Sequence, residues 1–173
     1  MKSRELYNDC CYARNELQKS ITEEDYVKSK ILWFSCLTML RAIGHILRNV
    51  DAKQYNEQFS AVLQSKYNHW RKNEPIFRDF IEKERNEILK EYVSSIDIES
   101  VTKKRRLVTS NGLRLVTNTG QQLSVNITMK ELVKNKGHLA GETPIKVLNN
   151  ALNWWDKELS ELECLTRSKT IAK

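Results

Sequence analysis

Through the first half of the chain, apolar residues return at helical spacing. Leu6, Cys10, Ala13 and Leu17 predict a first helix over 3–19. A second is predicted over 22–50, where Trp33, Leu37, Leu40, Gly44 and Leu47 make a continuous stripe. Thr22 followed by Glu23, Glu24 and Asp25 suits its N-terminus, because oxygen-bearing and acidic groups satisfy the free N–H groups there. Gly44 inside the stripe costs ~1 kcal/mol against Ala, and it points to close approach of a neighbouring helix. Asn49, Val50 and Asp51 end this helix. Tyr55, Phe59, Val62, Leu63 and Trp70 predict a third helix over 54–72. Asn73 is in place to cap a fourth, with Pro75 in its first turn, running to about Val93.

The pattern changes after Ser95. Residues 105–128 alternate polar and β-favouring residues, with turn signals at Asn111-Gly112 and Thr119-Gly120. Two or three short antiparallel strands are predicted. Too small to be stable alone, they have to pack on the helices or on another subunit. Gly137, Gly141 and Pro144 mark a loop. Thr143 can then cap a last helix over 144–164, whose face carries Ile145, Leu148, Leu152, Trp155, Leu159 and Leu162. Residues 165–173 read as a basic, frayed tail, and no internal repeat is expected. The fold class is mainly α: an up-down helical bundle with a small antiparallel β-hairpin appendage before the last helix. Residues 1–95 would form the four-helix unit. Residues 96–173 would add the hairpin and the C-terminal helix, all in one domain.

Composition supports helices, since 173 residues contain only five Gly and two Pro. The net charge of +7 points either to a polyanionic partner, whether nucleic acid or an anionic membrane, or to ordinary solubility. The positive charge is spread along the chain apart from the run Lys103, Lys104, Arg105 and Arg106, which leads into the strands. That run, followed by strands with Arg114, can contact a nucleic-acid backbone, or serve as a solvated linker and charged strand edge. Cysteines 10, 11, 36 and 164 show no zinc spacing, and the histidines 45, 69 and 138 are scattered. No metal or cofactor is expected, and the thiols read as free in a reducing compartment. The N-terminal segment lacks the apolar core of a signal peptide. No run approaches the ~20 apolar residues that span a bilayer, so a cytoplasmic protein without a membrane partner is expected.

Candidate chemistry concentrates in the fourth helix, PIFRDFIEKERNEILKEY. At about 100° per residue, Phe77, Ile81, Ile88 and Tyr92 share one arc, and Glu84 and Arg85 fall inside it. Charged groups on a core-facing stripe must be satisfied. They are either a paired structural ion or the floor of a site. For Arg85 the structural partner would be Glu84 of a neighbouring subunit, Asp51, or an acid of the first helix. Tyr92 reads as a core tyrosine with its hydroxyl at the rim. Arg41 and His45, one turn apart and followed by Arg48, can line a basic groove between the second and fourth helices. Their other reading is a helix flank whose Arg stems cover apolar surface. Trp155 belongs to the last helix's stripe, whereas Trp154 lies off it, for the strands or a partner to cover.

RNEILKEY, residues 85–92, resembles the signature helix of the HEPN superfamily (higher eukaryotes and prokaryotes nucleotide-binding domains). Arg85 and Asn86 match its Arg-polar element, and Tyr92 matches a Tyr found in some branches. The resemblance, over roughly 5–93, implies an up-down bundle, a homodimer, and binding or cleavage of RNA without metal. The position of the family's His is held here by Lys90. His can take or give a proton near neutral pH, whereas a solvated Lys, with a pKa of ~10.4, stays protonated. Lys90 also lies about 140° round a regular helix from Arg85. The resemblance therefore implies binding of RNA or a nucleotide in a defence, toxin–antitoxin or regulatory role, with weak catalysis or none. Arg85 and Asn86 are the catalytic candidates, and Arg41, His45, Lys90 and Tyr92 the binding candidates. Two other functions stay open. One is an active metal-independent ribonuclease in which His45 or Lys90 replaces the missing His. The other is a structural module that binds a protein partner.

Overall fold

The second helix begins at Asp25, whose side chain accepts the Lys28 N–H at 3.0 Å. The computed structural model describes residues 1–91 and 94–167. It places helix α1 over Lys2–Thr22 and α2 over Tyr26–Asn49. The start expected at Thr22 therefore moves, because the Thr22 hydroxyl donates back to the Gln18 carbonyl at 3.0 Å as part of α1. Glu24, at φ +57°, makes the left-handed turn between the two helices. A short 3₁₀ turn, Asp51–Gln54, leads to α3, Glu57–Asn73, which Asn56 caps through the Phe59 N–H at 2.9 Å. Buried Asp51 caps α1 from a distance in sequence, accepting the backbone N–H of Lys2 at 2.8 Å and of Ser3 at 3.0 Å.

The expected regular fourth helix is two pieces. Ile76–Glu82 is π-helical and Lys83–Glu91 is α-helical, hereafter α4. The wider i→i+5 turns shift the helix phase part-way along. Phe77, Phe80, Ile81 and Glu84 all reach the interior. Helix α5, Pro144–Arg167, closes the bundle, with the Thr143 hydroxyl receiving the Lys146 N–H at 3.4 Å.

Helix α2 runs through the centre, burying Trp33, Leu37, Leu40, Ile43 and Leu47 completely. By length and composition the stretch Tyr26–Gln54 would reach across a bilayer, contrary to expectation. Here its apolar stripe is the core of the bundle. A Cβ on Gly44 would lie 3.3 Å from the Trp155 ring, so the glycine admits that side chain. The Trp155 indole N–H then donates to the Leu40 carbonyl at 3.0 Å. Trp154 packs on Trp70 and Phe77, with ring centres 5.4 and 5.5 Å away. The third helix and the π-helical turn therefore cover it, not the strands.

The strands differ most from expectation. β1 is Ile96–Arg106 and β2 is Ser124–Lys134, eleven residues each, paired antiparallel from Ile96↔Lys134 to Arg106↔Ser124. At about 3.4 Å per residue the ribbon is about 34 Å long. Ile96, Leu132 and Lys134 at its base are buried, and the base of β2 lies against α5. Farther out, both faces meet solvent.

The intervening residues contain an internal repeat that was not expected. Leu107-Val-Thr-Ser-Asn-Gly-Leu-Arg114 is followed by Leu115-Val-Thr-Asn-Thr-Gly-Gln-Gln122. Each copy folds into one tight loop, closed by Thr109 N–H to the Leu113 carbonyl at 2.8 Å and by Thr117 N–H to the Gln121 carbonyl at 2.7 Å. Gly112 and Gly120 take φ +82° and +80°. The three repeat leucines join in a ring of backbone hydrogen bonds. Leu107 N–H donates to Leu123, Leu123 to Leu115, and Leu115 to Leu107, at 2.8–3.1 Å. The tip is thus a three-way junction of the ribbon and two equivalent loops.

Candidate nucleic-acid interface

The acid of α4 that reaches the interior is Glu84, and its partner comes from the ribbon. Its Oε1 lies 2.6 Å from Lys134 Nζ, with the two side chains 2% and 0% exposed. The Ser95 hydroxyl donates to Oε2 at 2.9 Å and the His138 backbone N–H to Oε1 at 3.2 Å. Lys134 also donates to the Lys136 carbonyl. Burial pushes the Glu84 carboxyl above its ordinary range, and the contacts with Lys134, Ser95 and His138 pull it back. At φ +73°, Gly137 has a backbone that favours glycine, and a Cβ there would fall 2.6 Å from the Glu84 carboxylate. The cluster fills all its polar positions and is closed to solvent. It joins the ribbon to the bundle and offers no place for a ligand.

Arg85 is half-buried. Its Nη1 donates to Asn86 Oδ1 at 3.2 Å, and its Nε is buried with no hydrogen-bond partner among the described residues. Among the described residues no acid pairs with it: Glu84 of the same chain is held by Lys134 and Asp51 by the start of α1. Asn86 and Lys90 line an open groove of about 330 Å³ with Arg78, Glu82, Lys83, Glu87 and Glu91. Its three basic and three acidic side chains cancel. Arg41 is engaged on the same side, with Nη2 3.2 Å from Glu82 and Nη1 donating to the Tyr67 hydroxyl at 3.2 Å. Arg71 meets the same Glu82 carboxylate at 3.2 Å, and the Arg48 guanidinium lies 4.3 Å above the Tyr67 ring. His45 is exposed and meets Asn49 at 3.1 Å. Among the described residues, no histidine hydrogen-bonds to Arg85, Asn86 or Lys90. Tyr92 lies outside the described residues. The expected basic groove between α2 and α4 is therefore an ion-pair network in which Arg41 and Arg71 share the Glu82 carboxylate.

The ribbon separates charge by face. Residues paired across an antiparallel ladder share a face, so the even-numbered positions of both strands lie together. Beyond the base these are Ile98, Ser100, Thr102, Lys104 and Arg106 opposite Leu132, Lys130, Thr128, Asn126 and Ser124. No acid is among them. At the outer end Lys104, Arg106, Arg114, Gln122 and Ser124 surround an open pocket of about 640 Å³. Arg114 reaches it because the first tip loop folds back on itself, with Val108 bridged to Arg114. Compared with family models, curated proteins and solved structures, the chain has no match. The site is therefore read from its own geometry.

That geometry is a convex, two-stranded projection whose one face offers cations and uncharged hydrogen-bonding groups. Lys104 and Arg106 belong to the basic run singled out in the sequence, and their strand alternation places them on one side. Arg114 was expected to follow the run in the strands, whereas Gln122 and Lys130 escaped notice because their placement depends on register. The repeat of eight residues was the available signal, since it places Arg114 and Gln122 at equivalent positions.

Proposed function

We propose that this protein binds nucleic acid through the basic face of the ribbon. The observation that carries the proposal is the convergence of Lys104, Arg106 and Arg114 on one pocket with no acidic neighbour. Cations arranged this way release counterions from a phosphate backbone, which gives affinity that falls steeply with salt. Ser124, Gln122, Asn126 and Thr128 supply donors and acceptors between the charges. The HEPN-like signature of α4 makes RNA the expected strand. Binding without cleavage is favoured, because Lys90 stands where a proton-transferring His is needed and Arg41 is committed to Glu82.

The test is fluorescence anisotropy with labelled single-stranded and duplex RNA over a series of salt concentrations. Changing Lys104, Arg106 and Arg114 together to Gln should weaken binding. It should also flatten the log–log salt slope by about 2–3, at ~0.7–0.9 per phosphate contact. A control removes equal charge from the exposed bundle residues Lys53, Lys72 and Lys157 and should leave the slope nearly unchanged. Equal effects of the two triple variants would overturn the ribbon as the site. Cleavage of the RNA in EDTA by the wild type, lost in Arg85→Ala, would instead establish a ribonuclease.

A further inference from the structure

The ribbon's other face has a different order. Its rows, from base to tip, are Asp97/Val133, Glu99/Glu131, Val101/Met129, Lys103/Ile127 and Arg105/Val125. The inner two rows are acidic, the middle row is apolar, and the outer two carry a base beside an aliphatic residue. Met129 and Val125 are 49% and 42% exposed. The buried base residues Ile96, Leu132 and Lys134 lie on the opposite, even-numbered face, so this odd-numbered face points away from the bundle. An apolar row on a free two-stranded ribbon is unfavourable, and ribbons of this size are marginal without a covering layer.

We propose that a second copy of this chain covers it, the two ribbons packing face to face and antiparallel about a two-fold axis at the Val101/Met129 row. The face is self-complementary in that orientation alone. The Asp97 row then meets the partner's outermost row, which carries its base, and the Glu99/Glu131 row meets the next one in. The apolar row meets itself, as an isologous contact requires. Parallel packing would set acid on acid and base on base. Within one chain Lys103 already reaches over the middle row to Glu131. In the pair, each lysine has the same kind of acidic row opposite it in its neighbour, so the ion pairs exchange across the axis. The two bundles lie at opposite ends, and the basic faces stay outward. This inference does not depend on nucleic-acid binding.

Sedimentation of the full chain tests it by charge reversal. Arg105→Glu sets a carboxylate opposite the partner's Asp97, and Asp97→Lys sets an ammonium opposite the partner's Arg105. Each variant alone should dimerise at least about tenfold more weakly than wild type, through like-charge contact. Mixing the two should restore dimers as heterodimers, and both changes in one chain should restore homodimers. Met129→Lys, at the axis, should weaken the dimer whatever the charges at the ends. These positions are exposed, and unchanged circular dichroism and melting confirm that folding is kept. A wild type that stays monomeric would overturn the proposal. So would a dimer indifferent to the charge reversals, or variants that fail to recover on mixing.

Discussion

At the scale of the residue, the Glu84–Lys134 pair shows why a charge on an apolar stripe is ambiguous. Helical periodicity placed Glu84 and Arg85 on the core side of the fourth helix, and Glu84 is buried there. Its partner lies fifty positions further on in β2, which no local pattern can reveal. Breaking such a pair leaves an uncompensated buried charge, whereas replacing both partners with apolar groups is often neutral. Lys134→Met should therefore cost about 3–5 kcal/mol at neutral pH. Glu84→Leu combined with Lys134→Met should recover most of it, as read from urea denaturation midpoints. The cost of Lys134→Met alone should shrink in acid, because Glu84 can then take up a proton. Arg41 followed different logic. Its one-turn spacing from His45 was visible, but its capture by Glu82 required the folded contact between α2 and the π-helical turn.

At the scale of the element, helices were more legible than strands. Each helix carries its own stripe, and α2, α3 and α5 carry their own caps, although Asp25 took the capping role expected of Thr22. The π-helical turn was hidden because its apolar residues also fit an α-helical arc. Strand boundaries moved outward to 96–106 and 124–134, and the alternating segment between them became the tip. A ribbon with two solvated faces has little hydrophobic alternation to mark it. The tip itself follows a local rule: Gly112 and Gly120 occupy left-handed turns with open space around them. Gly112→Ala or Gly120→Ala should each strain one loop by about 1–2 kcal/mol. Hydrogen exchange should accelerate at the amides of that loop, while the melting temperature of the bundle stays unchanged.

At the scale of the whole molecule, the joint between ribbon and bundle links stability to pH. His138 lies beside Phe80, with ring centres 6.4 Å apart, and its backbone N–H holds Glu84. Burial lowers its pKa below the ordinary 6.5 and the charge of Lys134 lowers it further, against a smaller opposing pull from Asp79. The unfolded chain therefore binds more protons than the native one in the window below 6.5. Stability contributed by neutral His138 is complete above that value and is lost as pH falls through the native pKa. Chemical denaturation at about pH 7.5 and about pH 5.5 should show lower stability in acid. His138→Gln should reduce the difference between the two.

By itself the sequence determined a mainly α bundle, the identity of most core residues, the cap of the last helix and the close approach at Gly44. These follow from periodicity and local hydrogen bonding, which act over a few residues. Tertiary structure alone decided which cations stay free. Arg41 is neutralised across a helix contact, whereas Lys104, Arg106 and Arg114 converge because ladder register and a folded-back loop place them on one face. Ion pairing and convergence depend on distances between segments remote in sequence, and only the packed chain sets those distances.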